Sequence, residues 1–258
     1  MVRIKRLLAA IGIVAIVFAY SGLAFASEGA GISPDEALTK LVDGNKRFIE
    51  GKQAQKDLSD NKRTELTKGQ QPFAVVLSCS DSRVPPEHIF DVGLGEIFVV
   101  RVAGTVADPI ELGSVEYAIE HLGSPLILVL GHQSCGAVKA TVAGGKPEGN
   151  IGAILKKIAP AVKKAKIKVK DKDKLLDAAI LENTKGTASA LTEKSSIIKH
   201  HVETKKVKIA AGVYNLATGK VELVDATLAS KDGSENAAPH EHTHTHADAG
   251  QYNHQEGI

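Results

Sequence analysis

Apolar side chains follow two rhythms along this chain. In the stretch from Ser33 to Gly51, Leu38, Leu41, Val42, Phe48 and Ile49 recur at spacings that share one face of a helix. Ser33, Pro34 and Glu36 stand in the order of a capping box with a first-turn proline, so the helix is expected to begin there. A second short helix is expected within 60–69. From residue 73 the rhythm changes: "FAVVLS" (73–78), "EIFVVRVA" (96–103) and "PLILVLGH" (125–132) are short, nearly continuous apolar runs, as strands covered on both faces require. "DPIELGSVEYAIEHLG" (108–123) reads as an amphipathic helix opened by Asp108 and Pro109 and closed by Gly123. Strand, helix and strand at this spacing imply a parallel sheet joined by crossovers. Two more helices are expected at about 150–166 and 173–200, and "KVKIAAGVYNLATGKVELVD" (206–225) closes as two strands around "ATGK". The expected fold is α/β: one domain with a mainly parallel central sheet flanked by helices, preceded by an N-terminal helical arm.

Residues 1–26 stand outside that pattern. A basic start with Arg3, Lys5 and Arg6, an apolar run over 7–23 and the small-residue exit "AFA" at 24–26 read as a cleaved signal peptide rather than a membrane anchor. The mature protein is then exported, periplasmic or secreted, with no stable membrane anchor. Cleavage leaves 29 basic residues against 30 acidic ones, so the basicity of the whole chain belongs to the leader and gives no sign of nucleic-acid binding. Trp is absent and aromatics make up 4%, which argues against stacking platforms for single-stranded nucleic acid. At 258 residues with 43% apolar content, the chain can bury a substantial core. Lysines crowd 156–174, yet Ile151, Ile154, Leu155, Ile158 and Val162 form a stripe beside them, so those lysines read as the wet side of a helix. "VGLGEI" (92–97) lacks a third glycine and runs into a strand, which is a turn rather than a dinucleotide loop.

The chemistry concentrates where two strands end. Cys79 and Asp81 follow the first apolar run, and His132 and Cys135 follow the third; open α/β sheets bind ligands at that edge. Two thiolates, an imidazole and a carboxylate suit tetrahedral zinc. "CSD" at i, i+2 places its side chains on one side of an extended segment, and "HQSC" at i, i+3 does the same across the first turn of a helix. A disulfide between the two cysteines is the ordinary alternative in an exported protein, and a closed four-ligand structural zinc is another. Arg83 bears on the choice. A guanidinium can hold a carboxylate through two parallel hydrogen bonds; drawing Asp81 aside leaves three protein ligands and a place for water.

The stretches "CSDSRVPPEHIFDVGLGEIFVVRVAG", "GSVEYAIEHLG" and "LVLGHQSCGAVKA" resemble the β-class carbonic anhydrases, and the likeness runs over about residues 34–225. The resemblance implies zinc on Cys79, His132 and Cys135, and a catalytic dyad of Asp81 and Arg83. It implies reversible hydration of carbon dioxide to bicarbonate and a proton by zinc-bound hydroxide, with Asp81 orienting that hydroxide. It also implies a homodimer or a higher multiple of dimers with the site at the dimer interface. Some members are held off at low pH by the aspartate returning to the metal, with a bicarbonate pocket built on a Trp near the first cysteine. Val76 occupies that region here, which points to the constitutively open kind. Thr105 stands where Asn is commoner in the family. His88 is the nearest histidine by sequence for moving protons out, while His121 reads as a helix end. Alternatives on the same ligands are hydrolysis of carbonyl sulfide or carbon disulfide, and non-catalytic zinc storage.

The last stretch, 229–258, reads as polar and without regular structure. It carries His240, His242, His244, His246 and His254, imidazoles suited to gathering zinc and helping to load the site. The domain between leader and tail spans 27–228.

Overall fold

Three of the apolar runs are the strands β1 (Ala74–Ser78), β2 (Ile97–Arg101) and β3 (Leu126–His132), followed later by β4 (Lys208–Tyr214) and β5 (Val221–Asp225). They form one sheet in the order β2-β1-β3-β4-β5, parallel except for β5, which runs antiparallel to β4. This computed structural model describes residues 30–225; the leader at 1–26 and the histidine-rich stretch at 229–258 lie outside the described residues. Among the described residues no helix is long and apolar enough to cross a membrane.

Every residue of β1 and β3 is buried, which is why both strands are continuously apolar. Their side chains alternate between the faces. Val75, Leu77, Ile127 and Val129 pack with α4 (Pro109–Glu120), α7 (Lys172–Lys194) and α8 (Ser196–Glu203) through Val115, Leu191 and Ile198. Val76, Leu126 and Leu128 face α1 (Pro34–Ile49) and α3 (Pro86–Ile89), through Leu41 and Ile89. Each fully buried Leu, Ile or Val contributes about 1.5–3 kcal/mol relative to exposure. The remaining helices are α2 (Asp60–Leu66), α5 (Gly136–Ala143) and α6 (Ile151–Lys168).

The helix starts read from the sequence are present. Ser33 and Glu36 exchange their two capping bonds ahead of Pro34, and Asp108 and Glu111 form a second capping box ahead of Pro109. The buried face of α1 differs from the expected one. Ala37, Leu41, Gly44 and Asn45 are buried, whereas Val42 and Ile49 are 46% and 44% exposed. Gly44 is there for contact: a Cβ would lie 1.8 Å from the carbonyl oxygen of Phe90. Asn45 is a satisfied polar group, donating to the carbonyls of Ile89 and Gly219 and accepting from the Val221 N–H. The helix expected over 173–200 is two helices. The chain turns extended at Ser195, whose hydroxyl caps α8 by accepting from the Ile198 N–H.

The order 2-1-3 puts β1 at a topological switch: the chain leaves it toward β2 on one side, while β3 and β4 continue on the other. Open α/β sheets form a crevice beyond the carboxyl ends of the strands at such a point. Cys79 follows β1 and His132 ends β3 at that place.

Candidate metal centre

Ser78 pairs with Leu130 across β1 and β3, so Cys79 leaves the sheet beside Gly131 and His132. Gly131 admits α7: a Cβ there would meet the Thr184 hydroxyl oxygen at 2.0 Å. Close packing behind the strand end holds His132 rigidly, and that residue is 1% exposed. The "HQSC" segment does not lie on a helix, as its spacing had suggested. His132 closes the strand, Ser134 takes a left-handed backbone (φ 55), and Cys135 is the N-cap of α5. Strand end, turn and helix start together carry the sulfur back to the imidazole.

The Sγ atoms of Cys79 and Cys135 and a ring nitrogen of His132 all lie within 4.8 Å of one another, and all three residues are buried. Both cysteines are free. His132 Nδ1 lies 2.9 Å from the Gln133 carbonyl oxygen. A carbonyl only accepts, so Nδ1 carries the proton and Nε2 presents its lone pair. That Nε2 is buried with no hydrogen-bond partner. A buried orphaned nitrogen facing two thiols is costly unless something accepts its lone pair. A borderline-soft cation taking sulfur and nitrogen donors fits, and zinc is the ion that this set suits best. The thiols titrate as a pair. Cys79 is pushed below the usual thiol range, foremost by its hydrogen bond with Cys135 and against burial, with help from the Gly104 and Asp81 backbone. The same bond, together with burial, pushes Cys135 up beyond the usual thiol range.

Asp81 stands apart from these three donors. Arg83 grips it through Nε to Oδ1 at 2.9 Å and Nη2 to Oδ2 at 2.7 Å, and the Arg83 backbone N–H adds a third bond to Oδ1 at 3.0 Å. The segment is a turn rather than the extended stretch expected, closed by the Val84 N–H on the Asp81 carbonyl at 3.0 Å. The Arg83 guanidinium holds the Asp81 carboxyl well below the usual carboxylate range, with burial opposing. Oδ2 nevertheless lies 3.9 Å from His132 Nε2. The acid is poised beside the donors and withheld from them.

Two contributors were missed in the sequence. Arg101, the last residue of β2, donates from Nε to the Cys79 carbonyl at 2.9 Å and from Nη2 to the Asp81 carbonyl at 2.6 Å. The Gly104 N–H donates to the Cys79 sulfur at 3.3 Å. Neither has a motif; both follow from the register Ser78↔Arg101, which only the paired sheet reveals. Arg101→Met is expected to release the Cys79–Asp81 backbone and speed loss of zinc to a chelator by roughly 10- to 100-fold, the usual effect of removing an outer-shell support. Arg101→Lys, reaching one carbonyl, should fall between; equal off-rates in all three chains would refute this. Thr105 has φ 52, a left-handed conformation that Asn tolerates better than a β-branched residue. Buried bonds hold it, with its carbonyl accepting from Thr187 Oγ1 at 2.8 Å. His88 is exposed on α3, and His121 is the C-cap of α4.

The wall behind the donors is apolar, built by Val106, Val138, Ile158, Val162 and Ile180. On the other side the site opens through Arg83, whose side chain is 54% exposed.

Residues 74–221 match the family model described as carbonic anhydrase. Over 198 residues the chain is 39% identical to a carbonic anhydrase of Mycolicibacterium smegmatis, covering 74% of this chain and 93% of that one. A solved Coccomyxa β-carbonic anhydrase, in complex with acetazolamide, superposes with a TM-score of 0.60 at 25% identity, covering 72% of this chain and 86% of that chain. A tetrameric β-carbonic anhydrase of Sordaria macrospora shares the fold, with a TM-score of 0.60 at 18% identity over 73% of this chain and 97% of that chain.

Proposed function

The chain belongs to the β-class carbonic anhydrases, and on that premise we propose that it reversibly hydrates carbon dioxide to bicarbonate and a proton. In this reading Cys79, His132 and Cys135 hold zinc, and Asp81 with Arg83 positions the attacking oxygen. The observation that carries it is the buried, partnerless Nε2 of His132 facing two thiols while Arg83 keeps the nearby carboxylate off them. Zinc held there would acidify water, an effect established for carbonic anhydrases, and so would supply hydroxide near neutral pH.

The protein's own groups do the rest. Asp81 stays ionised, so in a hydrogen bond it can only accept, and a protic group beside it must be the donor. An oxygen that gives its single hydrogen to Oδ2 has its lone pairs directed away from the carboxylate. Arg83 occupies both carboxylate oxygens from the solvent side, which fixes that direction. The apolar wall of Val106, Val138 and Ile180 suits a small substrate without charge or hydrogen-bond donors. Carbonyl sulfide and carbon disulfide meet the same wall, whereas a zinc-storage site has no use for a withheld acid.

The reading extends to a dimer or a multiple of dimers. Ile110 at 82% exposure and Tyr117 at 49% leave α4 with apolar surface outside the core, as an association face requires. The test is one preparation of the chain, separated by gel filtration and assayed with all three small molecules before and after zinc is stripped by a chelator. Carbon dioxide hydration should dominate, elute at dimer size or above, vanish on stripping and return with one zinc per chain. Fast hydration without zinc, or none with full zinc, overturns the assignment; an active monomer overturns the assembly.

A further inference from the structure

The most uneven charge in the molecule lies far along the chain from the metal ligands. Residues 156–174 hold nine lysines and two aspartates, while the chain as a whole holds 32 basic and 30 acidic residues. Acidic residues therefore outnumber basic ones over the rest of the chain. Helix α6 itself contains no acidic residue. Three lysines of this stretch are paired: Lys157 with Asp108, Lys168 with Glu182 and Lys174 with Asp171. Lys163, Lys164, Lys166, Lys170 and Lys172 are exposed, and none has a carboxylate oxygen within 4.0 Å among the described residues.

The helix geometry collects these groups. Ile158, Ala161, Val162 and Ala165 are the buried side of α6. At 3.6 residues per turn, Lys163 and Ile167 point the opposite way. Ile167 is 69% exposed, an apolar side chain standing among unpaired lysines. Like charges at i, i+3, as in Lys163–Lys166, destabilise a solvated helix, and interspersed glutamates would have relieved that. Repulsion of this kind turns favourable only against an anionic surface.

We propose that the outward face of α6 and the turn into α7 dock the protein on an anionic lipid bilayer. Lys163, Lys164, Lys166, Lys170 and Lys172 lie against the phosphates and Ile167 enters between the headgroups. Charge complementarity selects an anionic partner, and Ile167 selects the bilayer. A soluble polyanion has nowhere to bury that side chain, whereas an interfacial helix gains from doing so. The proposal does not depend on the reaction assigned above.

The test is co-sedimentation of the full chain with phosphatidylcholine vesicles, with and without about a third phosphatidylglycerol. Binding is expected on the anionic vesicles alone and should weaken steeply as salt screens it. At roughly fivefold per lysine, the triple variant K163E/K166E/K170E should lower partitioning about a hundredfold or more. Ile167→Ser should lower it roughly tenfold while its salt dependence stays the same. All four substituted positions are exposed, so unchanged melting temperatures will show that the variants remain folded. Absence of binding to anionic vesicles, or binding that the lysine variant does not alter, overturns the proposal. If polyphosphate binds as tightly as the vesicles and Ile167→Ser changes nothing, the face takes a soluble polyanion and the bilayer is excluded.

Discussion

Cys79→Ser is expected to yield a folded chain that loses zinc during gel filtration and hydrates carbon dioxide at least roughly a thousandfold more slowly. The reason is the ionisation of the donor. A thiolate is available in this pocket, where the hydrogen bond with Cys135 pushes Cys79 below the usual thiol range. A serine hydroxyl keeps its proton at neutral pH and is a poor ligand for zinc, whose binding requires deprotonated donors. Only one thiol and one imidazole then remain. The structural cost is smaller. Sulfur is replaced by oxygen in a buried place, but the Gly104 N–H that meets Cys79 Sγ at 3.3 Å can meet the hydroxyl instead. An imperfectly satisfied buried hydroxyl costs about 1–3 kcal/mol, and in a domain of this size that lowers the melting temperature by roughly 2–12 °C. Metal content by mass spectrometry and hydration by stopped flow check the two halves. A serine variant that retains zinc and turns over within tenfold of the parent would show that Cys79 is not a ligand.

Much of this site was legible in the sequence because its residues sit where strand signals are strongest. β1 and β3 are buried throughout, so their apolar runs are unbroken and their ends are sharp. Cys79, Asp81, His132 and Cys135 were located by those ends. What the residue spacing misjudged was the backbone between them. An i, i+3 pair suits a helical turn, but it also suits a strand end joined to an N-cap through one left-handed residue, as at Ser134. An i, i+2 pair suits an extended segment, yet Asp81 and Arg83 meet because their segment folds into a turn. Local spacing is compatible with both in each case, and tertiary packing decides. Arg101 shows the other limit. Its two bonds to the Cys79 and Asp81 carbonyls come from an adjacent strand, and register between strands distant in sequence leaves no local trace. The α1 face was misread for a related reason. A polar Asn45 and a side-chain-free Gly44 occupy the core side because α3 and the β4–β5 turn approach there.

The position of the acid also decides how the site responds to pH. Asp81 is an ion-paired carboxylate whose folded value lies below its unfolded one. Its contribution to stability is therefore present above the unfolded value, near 4, and is lost as pH falls through the folded value below that. Between pH 6 and 9 the carboxylate does not change charge. A rise of hydration toward alkaline pH is expected in that window, and it belongs to the water that becomes the nucleophile. Asp81 serves there as a fixed acceptor.

Arg83→Ala separates that role from a ligand's. Removing the guanidinium deletes both charge-assisted side-chain bonds to Asp81, of 2.9 and 2.7 Å. The carboxylate, with Oδ2 already 3.9 Å from His132 Nε2, is then free to join the three donors as a fourth. Four protein ligands close a tetrahedral shell. The variant should therefore hold zinc as firmly as the parent, or more so, while hydration falls by roughly 10²–10⁴, the range of a lost acid–base or orienting group. Stability should change little, because Arg83 is half exposed and exposed ion pairs contribute about 0–1 kcal/mol. Arg83→Lys keeps a charge but offers no planar fork, so it should retain zinc and recover only part of the rate. The double variant Asp81→Asn with Arg83→Ala removes the anionic donor that closes the shell, and it should release zinc to a chelator faster than Arg83→Ala alone. If Arg83→Ala loses zinc along with activity, the arginine supports the metal site rather than restraining its acid. If it keeps both, the pair has no part in the reaction.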